Sequence, residues 1–296
     1  MESSQPLRLA VVTASLGRPG ELTELQDALA AQTTPPALWV LSLESMQDAP
    51  ESLTPGAEVI LGSRGLCAQR NRGIEAVKRR ADIVVFFDDD FIPSRYALEG
   101  IAALFAFNPD VVGATGHVLA DGITRGGLTI EVAKQILSAY DAEPQPSAMS
   151  ARDVHTAYGC NMAFRLSALV DDLRFDERLP LYGWQEDVDF AGRVRECGRM
   201  VATNAFAGVH RGVTRGRMPG RRLGFSQIVN PVYLVRKGSM RWSHAAWLML
   251  RNLGANHLRM IAPEPHIDRR GRAIGNWLGL AHILRGRADP GVVLSV

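Results

Sequence analysis

The run Leu7-Arg8-Leu9-Ala10-Val11-Val12-Thr13 is almost continuously apolar, as expected of a strand covered on both faces. A Gly/Pro turn follows at Gly17-Arg18-Pro19-Gly20, and the spacing from Glu21 to Ala31 predicts an amphipathic helix. Strands are predicted over Ala37 to Leu43 and Ala57 to Leu61, a helix over Cys67 to Arg80, and a strand Ile83-Val84-Val85-Phe86-Phe87 that ends at Asp88. This alternation implies α/β architecture with a mostly parallel sheet flanked by helices. A helix from Ser94 to Phe107 and a strand from Val111 to Leu119 complete a doubly wound half that ends near residue 120.

Further on, Asp141 to Ser150 reads as a Pro/Ser/Ala-rich loop and Tyr158 to Phe164 as a strand. A helix starts near Trp184, and Val201 to Val209 is strand-like. The Gly- and Arg-rich stretch from Gly212 to Gly224 lacks apolar periodicity and is expected to be a mobile loop. The C-terminal part is helical in pattern: Ile274, Trp277, Leu278, Ala281 and Leu284 share one face, and His244 to Arg251 is apolar with basic flanks. Two readings of these faces stand side by side. They pack on the core, or Trp242, Trp247 and Trp277 with neighbouring arginines form an interfacial surface against anionic lipid.

The sequence of 296 residues, 46% hydrophobic and 22% charged, is long enough for a sizeable core. Its three cysteines, Cys67, Cys160 and Cys197, are widely spaced with no CxxC pair, which argues against a disulfide framework and against a zinc site and fits a reducing compartment. Residues 1 to 6 lack the basic and apolar regions of a secretory signal, and no apolar run approaches the ~20 residues of a spanning helix. The net charge of +2 conceals polarity. From Phe206 onward there are fifteen Lys and Arg against three Asp and Glu, net +12, leaving −10 for the remainder. An anionic partner for the C-terminal part is the implication.

The chemistry centres on Asp88-Asp89-Asp90, three carboxylates at the end of an apolar strand. Ligands of open α/β sheets sit at such strand ends, and a divalent cation carrying a phosphorylated ligand needs oxygen donors there. A second acidic cluster, Glu186-Asp187-Val188-Asp189, follows Leu181-Tyr182-Gly183-Trp184-Gln185 at a predicted helix start, where the helix dipole by itself also favours carboxylates. Gly159-Cys160-Asn161-Met162-Ala163-Phe164 reads as a flat strand lying close under a ligand.

In order, Thr13 with Arg18-Pro19, Arg70-Asn71-Arg72-Gly73, Phe87-Asp88-Asp89-Asp90 with Pro93, Gly159 to Phe164, Trp184 to Asp189, and His210 resemble the motifs of GT-A glycosyltransferases of family 2. The resemblance covers roughly residues 7 to 212 and implies a Rossmann-like GT-A fold and an inverting, metal-dependent transfer from a nucleotide-sugar, UDP-linked in most members. It implies Asp88 and Asp90 as the DxD pair, with Mn²⁺ or Mg²⁺ held by Asp88, Asp90 and His210. Thr13, Arg18, Glu44, Arg70, Asp88 and Asp89 fall where the family holds base, ribose and diphosphate. A carboxylate must take the acceptor proton; Asp187 matches that base, with Glu186 fixing geometry or exchanging roles with it. Asn161, Tyr182 and Trp184 are the implied substrate contacts. The second strand ends Leu43-Glu44-Ser45 rather than in Asp-Asp-Gly, a departure that leaves the base open.

The expected organisation is a catalytic domain over 1–224, nucleotide-binding to about 120 and acceptor-binding beyond, followed by a basic helical extension over 225–296. That extension resembles, weakly, those of bacterial members acting at membranes. The expected role is bacterial polysaccharide synthesis on a glycan or lipid-linked glycan acceptor, in the cytoplasm and peripheral on the inner face of its membrane, with no nucleic acid partner. A sugar-nucleotide pyrophosphorylase is the alternative enzyme, poorly matched because Thr13 to Pro19 lacks its Gly-rich phosphate loop. A non-catalytic binding module with a basic tail is the other, and it leaves Glu186-Asp187 without purpose.

Overall fold

The structure is a computed structural model describing residues 6–143, 149–170, 173–215 and 218–296. Its first half is built of βα units: β1 (Leu9–Ala14), α1 (Pro19–Ala30), β2 (Leu38–Leu43), β3 (Ala57–Leu61), α2 (Leu66–Val77) and β4 (Ile83–Phe87). Strands β3, β2, β1 and β4 pair in parallel in that order, as the alternation predicted. β1, β2 and β4 are covered on both faces, which is why their sequences read as unbroken apolar runs.

Beyond β4 the sheet becomes mixed. The elements are β5 (Phe91–Pro93), α3 (Ala97–Phe107), β6 (Val111–Asp121), α4 (Ile130–Ala142), β7 (Ala151–Asp153), β8 (Asn161–Arg165), α5 (Glu186–Val194) and β9 (Arg199–His210). β8 runs antiparallel to β4 and β6, β9 runs parallel to β6, and β5 and β7 pair antiparallel with β9. Four pairings are thus parallel and four antiparallel, so the mostly parallel sheet describes the first half only. α4 takes up the beginning of the expected Asp141 to Ser150 loop, whose residues 144–148 lie outside the described residues.

Three helices close the chain: α6 (Gly220–Lys237), α7 (Trp242–Leu258) and α8 (Arg269–Leu284). α6 begins inside the stretch expected to be a loop, and its glycines have a tertiary purpose. A Cβ on Gly224 would lie 2.1 Å from the Arg272 carbonyl oxygen, and one on Gly275 2.0 Å from that of Arg221. The two backbones touch, as small residues at four-residue spacing allow. Gly275→Ala should therefore lower stability by roughly 2–3 kcal/mol, the range of an overpacked core, measured as a fall in urea midpoint.

α6 is also joined to the α/β half. Tyr233 and Leu234 enter the core shared with α2 and α5, Asn230 donates to the Trp184 carbonyl at 2.9 Å, and Lys237 bridges Asp176 and the fully buried Asp189. Asp189 is thereby a structural anchor. Among the described residues no helix is long and apolar enough to cross a membrane.

Candidate active site

The acidic triplet leaves β4 at its carboxyl end and is neutralised piecewise. Asp89 is buried; Ser15, just past β1, donates its hydroxyl to Asp89 Oδ2 at 2.6 Å, and Arg18 donates to Oδ1 at 2.8 Å. Burial and the Asp90 charge push the Asp89 carboxyl up, against the pull of Arg18 and Ser15. Arg18 lies 3.7 Å from Asp90 as well and donates to the Val213 and Arg215 carbonyls, so it ties the first loop to the segment after β9. The Val213 amide donates to Asp90 Oδ2 at 2.7 Å.

Pairing of Phe91 with His210 across β5 and β9 carries that histidine to Asp90, and pairing of Asp121 with His210 across β6 and β9 carries a further carboxylate. His210 Nδ1 lies 3.0 Å from Asp121 Oδ1, Tyr158 donates to Asp121 Oδ2 at 2.8 Å, and His210 Nε2 stands 3.4 Å from Asp90 Oδ1. Burial disfavours a charged ring, but Asp121 and Asp90 outweigh it and push the His210 pKa up to about 10. In the absence of any other cation the protonated ring supplies the positive charge facing Asp90, and a metal ion bound there would take the place of the Nε2 proton.

A divalent cation fits that place. The second ring nitrogen of His210 is engaged by a carboxylate, the arrangement that aims a ligating imidazole, and two donor atoms converge. Among the described residues no three His, Cys, Asp or Glu side chains form a metal cage. Of the expected set Asp88, Asp90 and His210, the structure brings Asp90 and His210 together, while Asp88 pairs with Arg70 at 2.8 Å. Cations that bind phosphates take one or two protein carboxylates and leave the remaining positions to phosphate and water.

The other half of the site is built on Arg70, which is 2% exposed. Its guanidinium pairs with Asp88 and Glu186, donates to the Gly159 carbonyl at 2.9 Å, and lies against the Phe86 and Phe175 rings. Arg70 therefore holds carboxylates together rather than standing open for a phosphate, and its pKa is raised by Glu186 and Asp88 in spite of burial. Gly159 links the two sides: its amide donates to Asp187 Oδ2 at 3.0 Å, while Asp187 Oδ1 accepts from the Val188 amide at 2.8 Å. A Cβ on Gly159 would meet Glu186, Arg70 and Asp187 at 3.2 to 3.4 Å.

Burial pushes the Asp187 carboxyl up, against the two backbone amides and Arg70. Glu186, buried deeper and facing Asp187 and Asp88, is pushed up further, Arg70 opposing. The Glu186 Oε2 atom has no hydrogen-bond partner among the described residues. The loop delivering this pair is strained: Leu181, Gly183 and Gln185 all have left-handed backbone, at φ of 60°, 63° and 76°. Non-glycine residues hold such angles at a cost of about 1–3 kcal/mol and do so mainly at functional sites.

Several expected residues lie elsewhere. Thr13 is fully buried and its hydroxyl accepts from the Trp39 indole at 3.2 Å, so Ser15 is the hydroxyl that reaches the triplet. Asn161 is also fully buried, beneath Gly116 and Phe206, and takes no place at the opening. Glu44 is exposed at the end of β2; Asp48 is the buried carboxylate there, accepting from the Gly17 amide at 2.9 Å. Tyr182 is half exposed, and Trp184 packs on the core below it. Ser15, Asp48, Asp121 and Tyr158 were missed. Asp121 ends an apolar strand, as the triplet does, and that signal was present in the sequence.

A parallel half-sheet whose last strand, β4, ends in carboxylates, faced by a second carboxylate pair across one glycine, fits a glycosyltransferase with the GT-A fold. Residues 42–172 match the model of glycosyl transferase family 2. That match includes Arg70, the triplet and Gly159, and ends before Glu186, Asp187 and His210. Among solved structures, S. aureus TarS 1–349 is similar with a TM-score of 0.53 at 12% identity, over 95% of this chain and 92% of that one. The same fragment in complex with UDP gives 0.54 at 13% identity over the same shares. GalNAc-T7 with UDP, GalNAc and Mn²⁺ gives 0.56 at 14% identity, over 98% of this chain and 57% of that one. At these identities the likeness is one of fold. No curated protein matches the sequence.

Proposed function

We propose that this glycosyltransferase moves a sugar from a nucleotide diphosphate sugar, UDP-linked, to a hydroxyl of a glycan or lipid-linked glycan in bacterial polysaccharide synthesis, with inversion at the anomeric carbon. The observation that carries this reading is Asp187 held by the Gly159 and Val188 amides, half-buried and set across Gly159 from Asp88. Those amides favour the ionised form, which a base needs at the moment the acceptor hydroxyl attacks.

Glu186 takes the positioning role. Arg70 pairs with Glu186 and holds it beside Asp187, burial raises its pKa against that pairing, and its buried Oε2 has no partner among the described residues. Asp90 and His210 are the residues that would hold Mn²⁺ or Mg²⁺, with Asp121 and Tyr158 fixing the His210 ring. When bound, the cation supplies Lewis-acid neutralisation of the leaving diphosphate. Arg18 already spans Asp89, Asp90 and the segment after β9, so its guanidinium is placed to exchange carbonyl partners for phosphate oxygens. A lipid-linked acceptor would place the protein peripherally on the inner face of the cytoplasmic membrane.

Thermal shift with nucleotide diphosphates tests the donor class. UDP with Mn²⁺ at a hundredfold excess over Kd should raise Tm by about 5 °C; no response to any nucleotide diphosphate would remove the assignment. Asp121→Asn should weaken Mn²⁺ binding, read by calorimetry, about tenfold or more, and leave metal-free UDP binding unchanged. Equal Mn²⁺ affinity in that variant would separate His210 from the metal.

A further inference from the structure

We propose that the outer face of α7 and α8 docks on the surface of an anionic lipid bilayer. On α7, Trp247, Leu250 and Leu258 are 55%, 69% and 76% exposed and recur at the spacing of one helical stripe; on α8, Ile274, Trp277 and Leu284 do the same at 53%, 63% and 86%. His257 meets the Trp277 ring edge-on at 5.8 Å, joining the two stripes into one patch. An apolar surface of this extent marks an interaction site rather than ordinary solvent exposure.

Charge identifies the occupant. From Trp242 to Pro263 and again from Arg269 to Ala288 there is no Asp or Glu. The two acids between them are engaged, Glu264 by Arg259 and Arg269, and Asp268 as the cap on the Gly271 amide. Arg241 and Arg259 flank α7, Arg270 lies in the first turn of α8 and Arg285 follows its last residue, and the Arg251 guanidinium lies 4.6 Å above the Trp247 ring. Tryptophans and leucines with arginines at the helix ends are what a helix lying in the headgroup layer needs, its aliphatic stems buried and its charges at phosphate level. A second copy of the chain would instead bring like charge against like.

The surface is rigidly connected to the catalytic loop. α8 sits backbone against backbone on α6, and Asn230 of α6 holds the Trp184 carbonyl two residues before Glu186. Docking therefore fixes the height of the active site above the bilayer, a consequence that rests on the lipid-linked acceptor of the proposed function, whereas lipid binding itself does not.

Co-sedimentation of the full chain with vesicles, without nucleotide, tests this. Vesicles of equal phosphatidylcholine and phosphatidylglycerol should retain the protein, and pure phosphatidylcholine should retain it at least tenfold less. The variant Trp247→Glu/Trp277→Glu should lose at least tenfold of the anionic-vesicle binding, with Tm and the UDP shift unchanged because both side chains are exposed. Arg251→Gln should raise the apparent lipid Kd about fivefold. Equal retention on neutral vesicles, or undiminished binding by the double variant, would overturn the proposal. So would a wild-type dimer abolished by the same substitutions, which would give the face to a second copy. Loss of UDP binding with lipid binding intact would count against the donor assignment alone.

Discussion

Asp187→Asn should reduce sugar transfer about a thousandfold while nucleotide binding remains, within the range that a positioned base contributes. The substitution removes the basic oxygen and keeps the shape. The Asn carbonyl still accepts from the Gly159 amide, and the amide nitrogen then faces the Val188 N–H, a local loss of about 1 kcal/mol that the fold tolerates. Product formation and UDP calorimetry on one preparation separate the two effects. Since burial raises the Asp187 pKa, the wild-type rate should fall on the acid side above the usual Asp range, and that limb should vanish in the variant. Normal turnover by Asp187→Asn would move the base to Glu186, for which Glu186→Gln is the matching experiment.

Arg70→Met should destabilise the protein by roughly 3–5 kcal/mol, the penalty for removing one partner of a buried ion pair. Without the guanidinium, Glu186 is left buried and charged beside Asp187 and Asp88, or must be protonated at neutral pH. Arg70→Lys should recover only part of the loss, because one ammonium cannot reach Glu186, Asp88 and the Gly159 carbonyl in the forked geometry. Urea unfolding of Arg70→Met and of Arg70→Met/Glu186→Gln provides the decisive comparison. The double variant should be the more stable of the two, and an identical midpoint for both would show that Glu186 is not what Arg70 stabilises.

Much of the fold was legible in the chain. The buried strands announced themselves as apolar runs, and α1, α2 and α3 as periodic segments between turns. The short β5 carries too few residues for any periodicity, and the exposed β7 has no buried face to pattern. α4 has only Ala133 and Leu137 fully inside, a thin stripe for a helix of thirteen residues. The start of α6 was read as loop because glycine disfavours helices. The contact between Gly224 and Arg272 reverses that preference, since no larger residue lets the backbones meet.

The site divides in the same way. The acidic triplet at a strand end and the Glu186-Asp187 pair at a helix start are local features, each set by residues adjacent in the chain and legible there. Which side chain faces which was decided only by the tertiary structure. His210 reaches Asp90 because β9 pairs with both β5 and β6, and that same pairing brings Asp121 to its other nitrogen. Thr13 lies within β1 and is held in the core by the Trp39 indole, whereas Ser15 lies past the end of the strand, where the turn after β1 carries its hydroxyl to the triplet. Arg70 serves the carboxylates because α2 buries it against Phe86 and Phe175, and a charge in that place must be paired. Composition and spacing name the groups that can do the chemistry; burial, which depends on every element at once, decides which of them are free to do it.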